Sequence, residues 1–182
     1  SHDFQVEEWV THQSLAKVAL SREEKVKKLA STLHQIHQLP VYAITNDLPA
    51  DWRLYLTTAE VAPADELQRR LTQCGEVWRQ NHGHDQVLCH NDLAMEHISV
   101  GEPEIVFDWE YAACGNRFFD IAACAEINQL TSQETRQLQH HYSDISNLSL
   151  QDVIAQTTEQ FPLVKLTNEL WYQAAGINQT VQ

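Results

Sequence analysis

Three short β-prone segments crowded between residues 87 and 107 interrupt a chain otherwise patterned for helices, and no other feature limits the fold as strongly. Val87-Leu88-Cys89, His97 to Val100 and Glu104 to Phe107 are apolar and bounded by turn residues, and Gly101-Glu102-Pro103 supplies a hairpin turn between the last two. Upstream, Ser21-Arg22-Glu23-Glu24 forms a capping box. Behind it Val26, Leu29, Ala30, Leu33 and Ile36 recur at helical spacing until Leu39-Pro40 ends the pattern. A second amphipathic helix is expected from Pro63 to about Gln80, with Leu67, Leu71, Cys74 and Trp78 on one face. From Phe118 onward the pattern is helical again. Thr131 and Glu134 make another capping box, Ser149 caps a helix running towards Phe161, and a last helix spans Leu163 to Ala175. Phe4 to Val10 is expected to be a strand or extended segment. The expected class is therefore α+β, mostly α, with a small β-hairpin insert, in a single domain over residues 1–182.

Composition narrows the function. Apolar residues make up 43% of the 182, with only five glycines and five prolines, which suits a packed globule and excludes disorder or repeats. No apolar run reaches the roughly 18 residues needed to cross a bilayer, and the start lacks the pattern of a signal peptide. The net charge of −13 argues against nucleic acid or an anionic membrane as partner and leaves a small molecule as the expected one. Four scattered cysteines without a CxxC pair are expected to be reduced thiols of a cytoplasmic protein. The sequence carries no signature of oligomeric state.

The chemistry concentrates between Val87 and Glu126, which reads VLCHNDLAMEHISV, EIVFDWEYA and NRFFDIAACAE. An apolar strand runs into His90-Asn91-Asp92, and a later strand ends on Asp108, so two carboxylates are expected at the mouths of adjacent short strands. Phosphoryl transfer uses such a pair: one carboxylate orients the attacking hydroxyl and accepts its proton, and another holds Mg²⁺ against the phosphates. HxD alone is a common chance pattern, and each added segment, FDWEY and then FDIA, makes the functional reading stronger than a turn residue would require. Ten histidines invite a zinc reading, particularly His82, His84, His90 and His97, but a structural zinc site wants closely spaced Cys and His, His82-Gly83-His84 lies in a polar, loop-like stretch, and His140-His141 is expected on an exposed helix. His34 and His37, at i and i+3 on the first helix, are expected to be hydrogen-bonded packing residues. Trp52, Trp78 and Trp171 are expected in the core or a pocket wall, with Trp171 or Tyr172 able to line a cation site.

Together these motifs resemble the family of kinase-like small-molecule phosphotransferases that includes choline kinases, thiamine kinases and aminoglycoside phosphotransferases. That family carries a loop HxDxxxxN, a metal-binding Asp in an IDFEY or IDWEY segment, and a downstream FDIA or FDLA. The segment KLASTLHQIHQLP (Lys28 to Pro40) is also similar to the family's LAxxLxxLHxLP. The resemblance implies the C-terminal, substrate-side lobe of the protein-kinase-like fold, with ATP and Mg²⁺ as cofactors. It implies Asp92 as catalytic base within a loop shaped by His90, Asp108 as the Mg²⁺ ligand, and Asp120 as support for the loop backbone. Glu110, Tyr111 and Glu126 would contact the substrate, and a carboxylate beside an aromatic face suits a quaternary ammonium. Glu7 and Trp9, in the segment similar to the interlobe hinge (about 4–10), would contact the nucleotide.

Two departures stand out. Where the family has Asn as a second oxygen ligand for the metal, five residues after the catalytic Asp, this chain has His97, and an imidazole is a poor substitute for Mg²⁺. Neither a Gly-rich phosphate loop nor the strand lysine that pairs with phosphates occurs, so the N-terminal ATP lobe is expected to be absent through truncation of a longer protein. The leading expectation is a kinase transferring the γ-phosphoryl of ATP to a hydroxyl of a small cationic molecule. Choline, ethanolamine or thiamine comes before an aminoglycoside. The alternative is a non-catalytic kinase-like binding module.

Overall fold

The computed structural model describes residues 13–40, 43–81, 83 and 85–177. The hinge-like segment with Glu7 and Trp9 lies outside these residues, as do His82 and His84.

Among the described residues, six helices are joined by short strands. A two-residue strand β1 (Gln13–Ser14) leads to α1 (Arg22–His37), α2 (Leu48–Thr58) and α3 (Asp65–Asn81). Then come β2 (Gln86–Cys89), β3 (Ile98–Val100), β4 (Ile105–Val106) and β5 (Ala113–Asn116), with 3₁₀ turns at Met95–His97 and Trp109–Tyr111. Three helices close the chain: α4 (Arg117–Ile127), α5 (Ser132–Ser146) and α6 (Leu150–Ala174). Both capping boxes form, with Ser21 and Glu24 at the start of α1 and Thr131 and Glu134 at the start of α5. Each satisfies two of the backbone N–H groups that a helix start leaves without partners.

The helix α4 explains how the rest is arranged. Every residue from Phe118 to Ala125 is buried, so this helix is apolar all round and must be covered on both sides. Phe118, Ile121, Cys124 and Ala125 face a core built with Leu29 and Leu33 of α1, Leu138 and Tyr142 of α5, and Ile98. Phe119, Ala122 and Ala123 face a second core with Trp52 of α2, Cys74 of α3, and Leu163, Leu166 and Leu170 of α6. Each fully buried Leu or Ile contributes about 1.5–3 kcal/mol relative to exposure. The one charged residue of this stretch, Asp120, is therefore carried into the interior with it.

Several expectations need correction. β2 and β4 are not neighbours: β2 pairs antiparallel with β5, while β1, β3 and β4 form a separate sheet. The sequence Ala113-Cys114-Gly115-Asn116 lacks the alternation that marks a strand, which is why β5 went unread. The two helices expected on either side of Pro162 are one continuous helix, α6. Pro162 lies on its exposed side, and the buried face runs unbroken from Val153 through Thr157 and Gln160 to Leu163 and Leu170. Packing along that face outweighs the local cost of the proline. The helix α2 was also missed, although Asp47 caps it and Pro49 stands in its first turn.

All four cysteines are free thiols, and burial pushes those of Cys74, Cys89 and Cys124 upward from the usual thiol range. No helix of the described residues is long and apolar enough to cross a membrane. Trp52 is a core residue, its indole N–H donating to Thr167 Oγ1 at 2.8 Å.

Candidate active site

The loop after β2 is held from beneath by Asp120. Its Oδ2 accepts the backbone N–H of His90 at 2.8 Å, and its Oδ1 accepts that of Asn91 at 2.8 Å. Asp120 is wholly buried, and its charge is balanced by these donors and by its place in the first turn of α4, where the helix dipole favours an anion. A third contact comes from His37 Nε2, 3.1 Å from Oδ2, while His37 Nδ1 lies 2.7 Å from the Tyr142 hydroxyl. Burial pushes the Tyr142 hydroxyl up to about 12, so it stays protonated and donates to Nδ1. The Asp120 carboxylate only accepts, so His37 Nε2–H donates to it. This Tyr142–His37–Asp120 chain ties α5 and α1 to the loop. His37 meets the expected hydrogen-bonded role, whereas Nδ1 of His34 has no hydrogen-bond partner among the described residues.

His90 joins the two halves of the site. Its Nε2–H donates to the Phe107 carbonyl at 2.8 Å, and its Nδ1 accepts the Asp92 N–H at 3.3 Å. The ring is fully buried and packs against Trp109, with centroids 4.9 Å apart. A strand-to-strand hydrogen bond is thereby replaced by a side chain, which brings Asp92 and Asp108 together although their strands belong to different sheets.

The hairpin register completes the placement. Ile98 pairs with Val106, and the Phe107 N–H donates to the His97 carbonyl at 2.8 Å, so His97 lies beside the residue that precedes Asp108. His97 Nε2 is 3.5 Å from Asp108 Oδ2, and His97 Nδ1 is 3.8 Å from Asp92 Oδ2 and 2.8 Å from the Asp92 carbonyl oxygen. One ligand atom from each of Asp92, His97 and Asp108 fits within 4.8 Å of the others. These three residues and His90 thus form one cluster.

Asp108 and Asn91 both adopt left-handed backbone conformations, with φ of 63° and 65°. Such conformations cost about 1 kcal/mol or more for a non-glycine residue, least for Asp and Asn, and concentrate at functional sites. The Asn91 side chain helps hold its turn by donating to the Tyr111 carbonyl at 2.8 Å. Burial pushes the Asp92 carboxyl up from the usual range, His97 and His90 draw it down, and Asp108 and Glu110 push it up again. The Asp108 side chain is 46% exposed and the Asp92 side chain 29%, so the pair opens to solvent on one side. An exposed carboxylate of this kind fits a divalent cation. The imidazole in place of a second oxygen ligand fits Mg²⁺ less well.

Beside the carboxylates stands an aromatic group. The Trp171 indole N–H donates to the Tyr111 hydroxyl at 3.0 Å. Tyr55 of α2 lies close enough for its phenol to be pushed up, to about 12, by burial first and then by Asp51 and Tyr111. Glu110 is exposed beside Tyr111 and influences both Asp92 and Tyr111. Glu126 is half-buried in the last turn of α4, and no hydrogen bond or ion pair given for the described residues joins it to Glu110 or Tyr111. The broad groove of about 630 Å³ between α2 and α3, lined by Leu56, Leu71 and Trp78, is separate from this cluster. Sequence reasoning left out Asn91, Tyr142 and Tyr55. Only Asn91 carried a local signal, as the residue type most tolerant of the left-handed turn between His90 and Asp92.

Comparison with known proteins agrees with this geometry. The family model described as "Phosphotransferase enzyme family" matches residues 2–149. Protein LicA of Haemophilus influenzae is 22% identical over 143 residues, covering 74% of this chain and 53% of that protein. The chain therefore spans about half the length of the curated relatives it matches. Among solved structures, a choline/ethanolamine kinase family protein from Mesorhizobium loti superposes with a TM-score of 0.72 at 16% identity, covering 94% of this chain and 61% of that one. Choline kinase LicA from Streptococcus pneumoniae superposes with a TM-score of 0.63 at 21% identity, covering 93% and 61%. The mostly helical fold with its two small sheets is thus a part of the protein-kinase-like fold of these proteins.

Proposed function

The chain belongs to the phosphotransferase enzyme family, and from that premise we propose that it is the substrate-side part of a kinase that moves the γ-phosphoryl group of ATP onto the hydroxyl of a small cationic alcohol of the choline or ethanolamine type. The observation that carries this reading is the approach of Asp92 and Asp108 across His97, on a loop fixed from below by Asp120.

Asp92 is the group that orients the acceptor hydroxyl. It lies on a rigid loop, its backbone N–H held by His90, and its carboxylate is half-buried beside open solvent. As the oxygen of the alcohol forms its bond to phosphorus, Asp92 takes the hydroxyl proton, and the bond from phosphorus to the leaving phosphate oxygen breaks. A carboxyl held somewhat above the usual range is better matched to this proton transfer than an ordinary surface aspartate. Asp108 would hold a divalent cation, which would supply neutralisation of the phosphate charges. Asp120 and His37 do not touch the reactants; they hold the loop that does.

The acceptor's charge is read by Tyr111, which has Glu110 beside it, by Trp171 hydrogen-bonded to the Tyr111 hydroxyl, and by Tyr55 near Tyr111. Aromatic faces attract a quaternary ammonium through their quadrupole, and the nearby carboxylates add Coulombic attraction. These features favour a cationic acceptor, and the similarity to choline and ethanolamine kinases supports placing choline or ethanolamine before thiamine or an aminoglycoside. Nucleic acid and membrane surfaces are disfavoured as partners by the same acidic mouth.

The test is ADP release with Mg-ATP and a panel of choline, ethanolamine, thiamine, an aminoglycoside and a neutral sugar alcohol, using the full-length gene product beside its Asp92→Asn variant. Turnover with choline or ethanolamine is expected, falling at least about a hundredfold in the variant. Equal turnover by the variant would sink the assignment of Asp92, and preference for a neutral sugar alcohol would sink the cationic substrate.

A further inference from the structure

The imidazole of His97 occupies the place where the resemblance calls for an oxygen ligand, and its surroundings fix what it can do there. Its Nδ1 stands 2.8 Å from the Asp92 carbonyl oxygen. A carbonyl oxygen only accepts, so Nδ1 carries the proton and donates it. In that tautomer of the neutral ring, Nε2 carries the lone pair that can bind a cation. The atom it faces is Asp108 Oδ2 at 3.5 Å, which is also an acceptor. An imidazole nitrogen and a carboxylate oxygen held this close can share a proton or bind one cation between them.

We propose that His97 Nε2 and Asp108 Oδ2 are paired ligands of one cation, which makes the centre a mixed imidazole–carboxylate site that takes Mn²⁺ and its first-row relatives in preference to Mg²⁺. The proposal rests on the placement of a divalent cation at Asp108 given above. Three features carry it. Nitrogen ligands favour first-row transition dications, while Mg²⁺ demands oxygen and gives up its water reluctantly. A ligating histidine characteristically donates its other ring N–H to a backbone carbonyl or carboxylate, which orients the ring and raises its basicity; the Nδ1–Asp92 bond is of this kind. Cis ligands on an octahedral ion, each about 2.1 Å away, stand about 3 Å apart, so the observed pair closes onto an ion by a small side-chain rotation. Asp92 Oδ2 lies within reach as a further oxygen, and the exposed side of Asp108 leaves positions for phosphate oxygens or water.

The ring is also braced. His90 stacks on it with centroids 6.2 Å apart and planes 26° from parallel. The hairpin register fixes its backbone through the Phe107 N–H. Nε2 is therefore turned towards Asp108.

The experiment uses the full-length product and Mn²⁺ as the probe, with wild type, His97→Asn, His97→Gln and Asp108→Asn compared. Loss of the free Mn²⁺ electron paramagnetic resonance signal gives binding, competition with Mg²⁺ gives the preference, and pulsed spectra show whether a nitrogen is bonded to the metal. Wild type is expected to prefer Mn²⁺ by at least about tenfold over Mg²⁺ and to show nitrogen coupling. Both His97 variants should lose that coupling and bring the two ions within about threefold. His140, His141 and Asp144 on α5 form another imidazole-containing group, so the difference between wild type and His97→Asn is what is read. An unchanged preference or unchanged coupling in His97→Asn overturns the proposal. So does a wild type that takes up no Mn²⁺, since a proton would then bridge the two acceptors. If Asp108→Asn binds Mn²⁺ as wild type does, the cation is not at Asp108 and the reading of the active site fails with it. If Asp108→Asn loses binding but wild type shows no nitrogen coupling, only the role of His97 fails.

Discussion

Replacing Asp120 by Asn tests the whole arrangement, because the change removes a charge and one acceptor while keeping the shape. Three donors converge on this carboxylate: the N–H groups of His90 and Asn91 and His37 Nε2. The amide of Asn has one acceptor oxygen. Its best orientation places that oxygen where Oδ2 was, keeping His90 and His37, and turns the NH₂ group onto the Asn91 N–H. Two donors then face each other in the interior. A buried N–H left without a partner costs about 1–3 kcal/mol, and demoting the two remaining bonds from charged to neutral acceptor costs about 1 kcal/mol more in total. Relief from burying the carboxylate offsets part of this. The expected loss is about 3 kcal/mol, which agrees with the range for breaking a buried charged network. With a urea m-value of about 2 kcal/mol/M, the midpoint should fall by about 1.5 M. Tryptophan fluorescence and far-ultraviolet circular dichroism should report the same transition, and Glu126→Gln on the same helix should stay within about 0.5 kcal/mol of wild type. Without its bond, Asn91 has less to hold it at positive φ, so phosphoryl transfer should fall as well. A midpoint shift smaller than about 0.5 M would refute the claim that Asp120 clamps the loop.

Two further outcomes follow from the same structure. Asp92→Asn should stabilise the fold at neutral pH by on the order of 0.5 kcal/mol, since burial disfavours the charged carboxylate. The sign follows from linkage. A folded-state carboxyl held above its unfolded value makes wild type relatively more stable at low pH, and that advantage is lost as pH rises through the folded value. The gain from the variant should therefore be present at pH 7 and vanish below about pH 4, read from urea midpoints across pH; a gain that grew on acidification would contradict the burial argument. Pro162→Ala should raise stability by about 1–3 kcal/mol, because the proline sits on the exposed side of a continuous helix and withholds a hydrogen bond from the carbonyl of Thr158. A destabilised variant in thermal unfolding would mean that the proline ring packs in a way the helix needs.

Much of this protein is local and was legible without coordinates. Ser21 with Glu24, and Thr131 with Glu134, start α1 and α5 because a side chain three residues away can reach a free backbone N–H, and no other part of the chain is needed. The spacing of Val26, Leu29, Leu33 and Ile36 marks a buried face for the same reason. The chemical inventory of the site, with Asp92, Asp108 and Asp120 in three recognisable segments, is likewise a property of the linear sequence. What could not be read is whatever depends on partners distant in sequence. β5 is a strand only because β2 lies beside it. α6 passes through Pro162 because α2, α3 and α4 pack along one side of it and make the continuous face worth more than one lost bond. Asp92 and Asp108 meet through the His90 ring and not through adjacent strands, and the Tyr142–His37–Asp120 chain joins residues more than eighty positions apart. Propensity and capping act over four residues, so sequence alone determined where helices begin and which acids are present. Burial and hydrogen-bond satisfaction act between surfaces, so only the tertiary structure decided which of those acids share a site and which partners each histidine ring meets.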